Sequence, residues 1–319
     1  MNNNQQMHRP LIPLYKVRSF GEKISDTFSF ISENFRTLLK YITYFFLPLC
    51  LFQALAFNGL MGDYFSAVSQ IMGQGGDVGN DMPFSSMSSL IAYALASVIF
   101  YTVGSALLFS LLYTLMRLYE QRDNRLRDVL FNEMWPLMTR NMKRAAVLIL
   151  SGILLGVVLI AIVVLMALVT PVLAVVGYIL VLVVLLPCSL AAPVYLFEEL
   201  NVIDAFVKAF RLGFKTWGGI FGVMIVLTLI ASVLQMITML PWEFAMIFKG
   251  FFSLQNAEEG FTSSVGYSFL TYILGVIQCF GAYLTYTILF VGIAYQYGHA
   301  CEKIDHVTVQ DDIDHFENL

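Results

Sequence analysis

Residues 145–197 read AAVLILSGILLGVVLIAIVVLMALVTPVLAVVGYILVLVVLLPCSLAAPVYLF. No Asp, Glu, Lys or Arg interrupts them, and the only break is Thr170-Pro171. A transmembrane helix needs about 20 apolar residues at 1.5 Å rise each, and proline cannot continue a helix already under way. The stretch therefore predicts two membrane spans joined by a tight hairpin at Thr170-Pro171.

Working outward, charge-free runs mark the remaining spans: Tyr41–Gly62, Ser88–Met116, Gly218–Trp242 and Ser264–Cys301. The reading is an all-α membrane protein with six transmembrane helices, at about 41–62, 88–116, 145–169, 171–197, 218–242 and 264–297. A β-barrel is excluded, because its strands alternate over about 10 residues instead of running continuously apolar. Composition agrees: of the 319 residues 58% are apolar and 13% charged, against about 45–50% and about 25% in soluble domains. A water-soluble enzyme and a disordered protein are both excluded. The net charge of −4 leaves no basic excess for a nucleic-acid backbone. Four cysteines make no disulfide framework. The first apolar run begins too deep for a cleaved signal peptide, so it is expected to stay as an anchor.

Positive charge sets the orientation. Of the 18 Lys and Arg residues, all but Lys249 fall in the N-terminal segment, the second and fourth connections, or the C-terminal tail. Both termini are thus expected in the cytoplasm of a bacterial inner membrane. Residues 1–40 form a cytoplasmic segment with an interfacial helix, 41–300 the membrane domain, and 301–319 an acidic tail.

A weak repeat runs through the basic connections. Asn34-Phe35-Arg36-Thr37-Leu38 matches Gly213-Phe214-Lys215-Thr216-Trp217 position by position, and Asn141-Met142-Lys143-Arg144-Ala145 matches more loosely. Amphipathic stretches precede them: Ile24, Phe28, Ile31, Phe35 and Leu38 in the first, Ile203, Val207, Phe210, Phe214 and Trp217 in the third. Leu126, Leu130, Met134 and Met138 make a middle version, interrupted by Pro136. An apolar stripe with a basic face beside a span predicts a helix in the headgroup plane. The expected unit, used three times in parallel, is an interfacial helix followed by a helical hairpin. Arg36, Lys40, Lys143, Arg144, Arg211 and Lys215 sit where stripe turns into span, which makes them the candidate contacts for anionic lipid.

The stretch Asn201–Leu229, Asn-Val-Ile-Asp-Ala-Phe-Val-Lys-Ala-Phe-Arg-Leu-Gly-Phe-Lys-Thr-Trp and then an apolar run, resembles the membrane domain that precedes the catalytic domain of some bacterial glycerophosphodiester phosphodiesterases. Related stand-alone integral membrane proteins share it. The resemblance extends from Phe20 to about Ala300. It implies a membrane module associated with lipid. Only Cys301–Leu319 follows the last span, far short of the ~250 residues of a catalytic barrel, so the phosphodiesterase activity is not expected to carry over.

Catalytic chemistry is otherwise missing from the pattern. His8, His299, His306 and His315 lie outside the depth of the spans, and no Cys/His spacing fits a metal. No cofactor is implied. Cys50, Cys188 and Cys279 read as small buried residues, while at Cys301, at a span end, S-acylation is a minor alternative. Asp63, Asp77 and Asp81 are the acids available for calcium on the outer side. Gly152-Ile-Leu-Leu-Gly156 and Gly218-Gly-Ile-Phe-Gly222 have the spacing that permits close helix approach. No ionisable group lies within the spans, which weighs against an ion-coupled carrier. Gln53, Gln235 and Gln278 remain, either as interhelical hydrogen bonds or as an intramembrane polar pocket. Two functions follow: a non-enzymatic module binding membrane lipids, with the acidic tail as handle for a protein partner, or a facilitative permease lined by those glutamines with Tyr93, Tyr101 and Tyr283. The module is the preferred reading. Convergence of the glutamines on one cavity would favour the permease.

Overall fold

The computed structural model describes residues 11–74, 84–254 and 264–308. Among them every regular element is an α-helix: α1 Phe20–Gln74, α2 Phe84–Gln121, α3 Phe131–Val169, α4 Pro171–Cys188, α5 Ala191–Phe197, α6 Val202–Lys215, α7 Trp217–Leu254 and α8 Val265–Asp305. Six segments are long and apolar enough to cross a bilayer: Phe20–Val68, Met87–Gln121, Phe131–Val169, Pro171–Phe197, Trp217–Phe252 and Val265–Asp305. The chain is a polytopic membrane protein. Large apolar side chains face away from the protein along the spans, as Leu168 does with 79% of its surface uncovered. Such a surface is stable only against hydrocarbon.

The hairpin at Thr170 forms as the sequence predicts. Thr170 is extended (φ −155°, ψ 148°), its hydroxyl accepts from the Leu173 N–H at 3.2 Å, and Pro171 opens α4. Proline suits that first position because its missing N–H would have had no helical partner. The following span differs from the expectation of one helix. After Pro187 the chain turns at Ser189, whose N–H reaches the Leu185 and Leu186 carbonyls at 3.2 Å. It then restarts as α5, in which every residue is buried.

The expected triple repeat appears as a separate basic-end helix once, in α6. Thr216 (φ −120°, ψ 22°) ends that helix and α7 starts at the next residue. The stretches at 24–38 and 131–138, by contrast, run unbroken into their spans as parts of α1 and α3.

Two compact units divide the chain, one of residues 1–38, 106–229 and 287–319, the other of 39–105 and 230–286. In the first, α4 packs on α3 and α6, and α5 on α3 and α6. Gly213 of α6 lies so close to Pro187 that a Cβ there would stand 2.6 Å from the proline Cα. In the second, Phe46 and Tyr283 meet with ring centroids 4.4 Å apart, and Phe57 stacks on Trp242 at 4.8 Å. Gly104 leaves the space that the Tyr283 hydroxyl occupies.

Candidate lipid-contact surface

In α6 the residues turned to the protein are small or branched: Ala205, Ala209, Leu212 and Gly213 are buried. Its larger apolar side chains point the other way, with Ile203, Val207 and Phe214 exposed by 77%, 63% and 52%. A helix facing water would place them inward, since each carries a transfer free energy of about 1.5–3 kcal/mol. The inversion fits a helix whose outer medium is itself apolar. Trp217, at the start of α7, donates from its indole N–H to the Val183 carbonyl at 3.3 Å and so fixes the junction against α4.

The six basic residues that the sequence groups together separate into two classes. Arg36, Lys143 and Lys215 are exposed and form no ion pair among the described residues. Lys40 is exposed as well, in the second unit, with its ammonium 5.2 Å from the Tyr41 ring centroid. Arg144 is engaged inside the protein. One guanidinium nitrogen donates to the carbonyls of Tyr195, Glu198 and Leu200 at 2.5, 2.9 and 3.1 Å, and the group lies 4.2 Å over the Tyr195 ring. It supplies donors and positive charge where the end of α5 leaves carbonyls without helical partners. Arg117 serves the same end through the Phe197 carbonyl at 2.6 Å. Arg211 is held by both oxygens of Asp305, at 2.9 and 2.8 Å.

A polar network ties α6 to the end of α8 and has no counterpart in the sequence reading. Lys208 pairs with Glu198 at 2.7 Å and with Asp305 at 3.6 Å. The Tyr297 hydroxyl donates to Glu198 at 2.6 Å, and the Tyr15 and Tyr297 hydroxyls lie 3.2 Å apart. Burial pushes the Tyr15 hydroxyl above its ordinary pKa, so it stays neutral beside this carboxylate. Arg140 donates to the exposed Glu199 and holds its carboxyl below the usual range. Residues 11–19 also dock on this unit. Arg18 pairs with Asp26 at 2.7 Å, its N–H donates to His299 Nδ1 at 2.9 Å, and its guanidinium lies 4.8 Å over Tyr295. The signal for these contacts was faint: acids at the ends of apolar runs opposite a basic helix face.

The first unit also holds an apolar cavity of about 350 Å³ bordered by α2, α3, α4, α5, α6, α7 and α8, with Tyr113, Gly152, Gly156, Cys188 and Phe206 in its wall. The Tyr113 hydroxyl is buried with no hydrogen-bond partner among the described residues. Its volume falls in the range of small-ligand sites, roughly 300–1,000 Å³. Gly152 and Gly156 meet no other helix: a Cβ at either position would have nothing within 4 Å, and the same holds for Gly218. Gly222 faces the Phe20 ring. The expectation of close helix approach is therefore corrected at Gly152, Gly156 and Gly218, and holds at Gly222.

The glutamines are taken up in contacts with α8. Gln53 Oε1 accepts from the Tyr283 hydroxyl at 2.9 Å. Gln235 accepts from Thr285 at 3.1 Å and donates to the Gln278 carbonyl at 3.5 Å. Tyr283 and Thr285, two residues apart, lie about 200° apart around a helix, so Gln53 and Gln235 approach α8 from opposite sides. Gln278 Oε1 is buried with no hydrogen-bond partner among the described residues. Tyr93 and Tyr101 are exposed. Cys301 is fully buried, which gives the minor alternative of S-acylation there no support. Among the described residues no three His, Cys, Asp or Glu side chains gather closely enough to hold a metal ion. Asp77, Asp81, His8, His315 and the tail beyond residue 308 lie outside the described residues. None of the known protein families, curated proteins or solved structures matches this chain.

Proposed function

We propose that the chain is a non-enzymatic membrane module that gathers anionic lipid at its basic end, in a bacterial inner membrane with both termini in the cytoplasm. The observation that carries this reading is α6, a helix with small residues turned to the protein and Ile203, Val207 and Phe214 turned outward. Such a helix lies at the acyl–headgroup boundary, where Lys215 meets phosphates. Arg36 and Lys143 add exposed positive charge to the same unit, and Lys40 to the second, while the apolar cavity accepts a chain end. The resemblance of Asn201–Leu229 to phosphodiesterase membrane domains points the same way. The acidic tail is the handle for a protein partner. A permease has less support, because Gln53 and Gln235 meet α8 on opposite sides.

The test is to replace Arg36, Lys40, Lys143 and Lys215 by Gln, leaving Arg144 and Arg211 in their internal contacts. A basic residue near an anionic leaflet contributes about 1 kcal/mol, so anionic lipid retained through purification should fall several-fold, with insertion and Tm preserved. Unchanged enrichment in an inserted variant would reduce these residues to topology signals and end the proposal.

A further inference from the structure

The apolar cavity lies wholly within the first unit, and its wall changes character with depth. Its shallow level is one helical turn inside the basic ends: Tyr113 precedes Arg117 by four residues on α2, and Leu148 follows Arg144 by four on α3. Gly152 and Gly156 come one and two turns deeper along α3, so at 1.5 Å rise per residue the wall from Leu148 to Gly156 covers about 12 Å. Leu185 of α4 stands about as far after the Thr170 turn as Gly156 stands before it, which brings the two level across the hairpin. No charged side chain borders the cavity among the described residues.

The two levels differ in what they lack. At the shallow one Tyr113 is 1% exposed, and its hydroxyl has no hydrogen-bond partner among the described residues. Buried polar groups are normally satisfied. The other hydroxyl in the wall, on Ser189, already donates to the Leu186 carbonyl at 2.7 Å. At the deep level the wall is carbon and lacks bulk: a Cβ on Gly152 or Gly156 would meet nothing within 4 Å, although both glycines border the cavity. There it opens onto the hydrocarbon-facing surface, since Leu185 is 45% exposed and Leu154 and Val158, beside Gly156, are exposed by 67% and 50%. An unmet donor near the headgroups, above a carbon-walled space, repeats the order of groups in a lipid at that depth.

We propose that this cavity seats one ester-linked acyl chain of a glycerolipid, with hydrocarbon along the Gly152–Gly156 face of α3 and the ester carbonyl accepting from the Tyr113 hydroxyl. The glycines keep the seat open instead of bringing a second helix close. This deepens the lipid reading, on which it rests, by adding one seated lipid to the diffuse attraction of Arg36, Lys143 and Lys215. With no charge in its wall, the seat reads chain and linkage and is indifferent to headgroup charge.

The experiment uses the full chain purified in detergent and titrated with dioleoyl phosphatidylcholine, which has no net charge, or with its ether-linked counterpart, which keeps chains and headgroup but lacks the carbonyls. Native mass spectrometry counts bound lipid, and thermal unfolding checks that each variant folds. Gly152→Leu with Gly156→Leu fills the seat, Gly218→Leu adds the same side chain outside the cavity, and Tyr113→Phe removes the hydroxyl but keeps the ring. The wild type and G218L should retain one phosphatidylcholine tightly, whereas G152L/G156L should bind it about tenfold or more weakly, the effect of excluding about two methylenes. The wild type should prefer the ester lipid about fivefold, the effect of one hydrogen bond, and Y113F should lose that preference. Equal retention by the wild type and a folded G152L/G156L would overturn the seat. Equal binding of ester and ether lipid by the wild type would overturn the carbonyl contact, and the proposal with it. Should G152L/G156L fail to fold, the ester–ether comparison in the wild type and Y113F decides alone. The variant lacking Arg36, Lys40, Lys143 and Lys215 should keep this one lipid while losing the anionic enrichment, so failure of the surface and failure of the seat give different results.

Discussion

Lys143 and Arg144 are adjacent and carry the same charge, and a count of basic residues treats them alike. The fold assigns them opposite tasks: Lys143 is exposed, and Arg144 caps the end of α5 with three carbonyl contacts. Hydrogen bonds from a charged donor contribute about 1.5–3 kcal/mol each before solvent screening, and Arg144 is only partly buried. Arg144→Ala should therefore cost about 2–4 kcal/mol, and Lys143→Ala no more than about 0.5 kcal/mol, read as chemical or thermal unfolding in detergent. Arg144→Lys should rescue little, because an ammonium lacks the planar fork that serves several acceptors at once. A loss for K143A equal to that for R144A would show the capping contacts to be dispensable. The sequence makes the basic class legible at these positions, but no local pattern distinguishes a side chain left on the surface from one bound for a helix end. Lys23 illustrates the same limit, since it belongs to the basic N-terminal group by sequence and to the interior by structure.

At the scale of elements, periodicity finds an apolar face without saying what covers it. In α1 the residues buried at helical spacing are Lys23, Thr27, Phe30, Asn34 and Leu38. The stripe read from the sequence lies beside them, with Ile24, Phe28 and Ile31 packed against Val223, Leu227 and Ile288. In α3, Met134 and Met138 are buried in the protein together with Asn141, Ala145 and Leu148. Only the stripe of α6 is left uncovered. Small residues were the available clue: Ala205, Ala209 and Gly213 oppose the large stripe of α6, whereas the other two helices lack such a set. Spin labels test this assignment. A label at Val207 should be relaxed by oxygen, which partitions into hydrocarbon, and one at Asp204 by an aqueous nickel complex. Equal access of the nickel complex to both positions would place α6 in water.

For the whole molecule, the six spans are legible because an unbroken charge-free run of membrane length has few other stable fates. The break at Thr170-Pro171 was legible for an equally local reason. The break at Ser189 was not, since Pro187 stands inside an apolar run with no polar boundary to mark it. The proposed orientation rests on a charge asymmetry in which Lys249 alone of the 18 Lys and Arg residues falls in a connection assigned to the far side. Cysteines introduced at Asp77 and at Arg127 should therefore differ: D77C labelled by an impermeant maleimide in intact cells, R127C only after lysis. Labelling of R127C in intact cells, with D77C protected, would invert the topology.

The native thiols make such measurements unusually clean. Cys50, Cys279 and Cys301 are buried, and the half-buried Cys188 borders the apolar cavity. The unmodified chain thus carries one thiol that faces an oily space, and a reagent must dissolve in hydrocarbon to reach it. The rate at which a greasy alkylating probe consumes that sulfur becomes a clock for how often the cavity stands vacant.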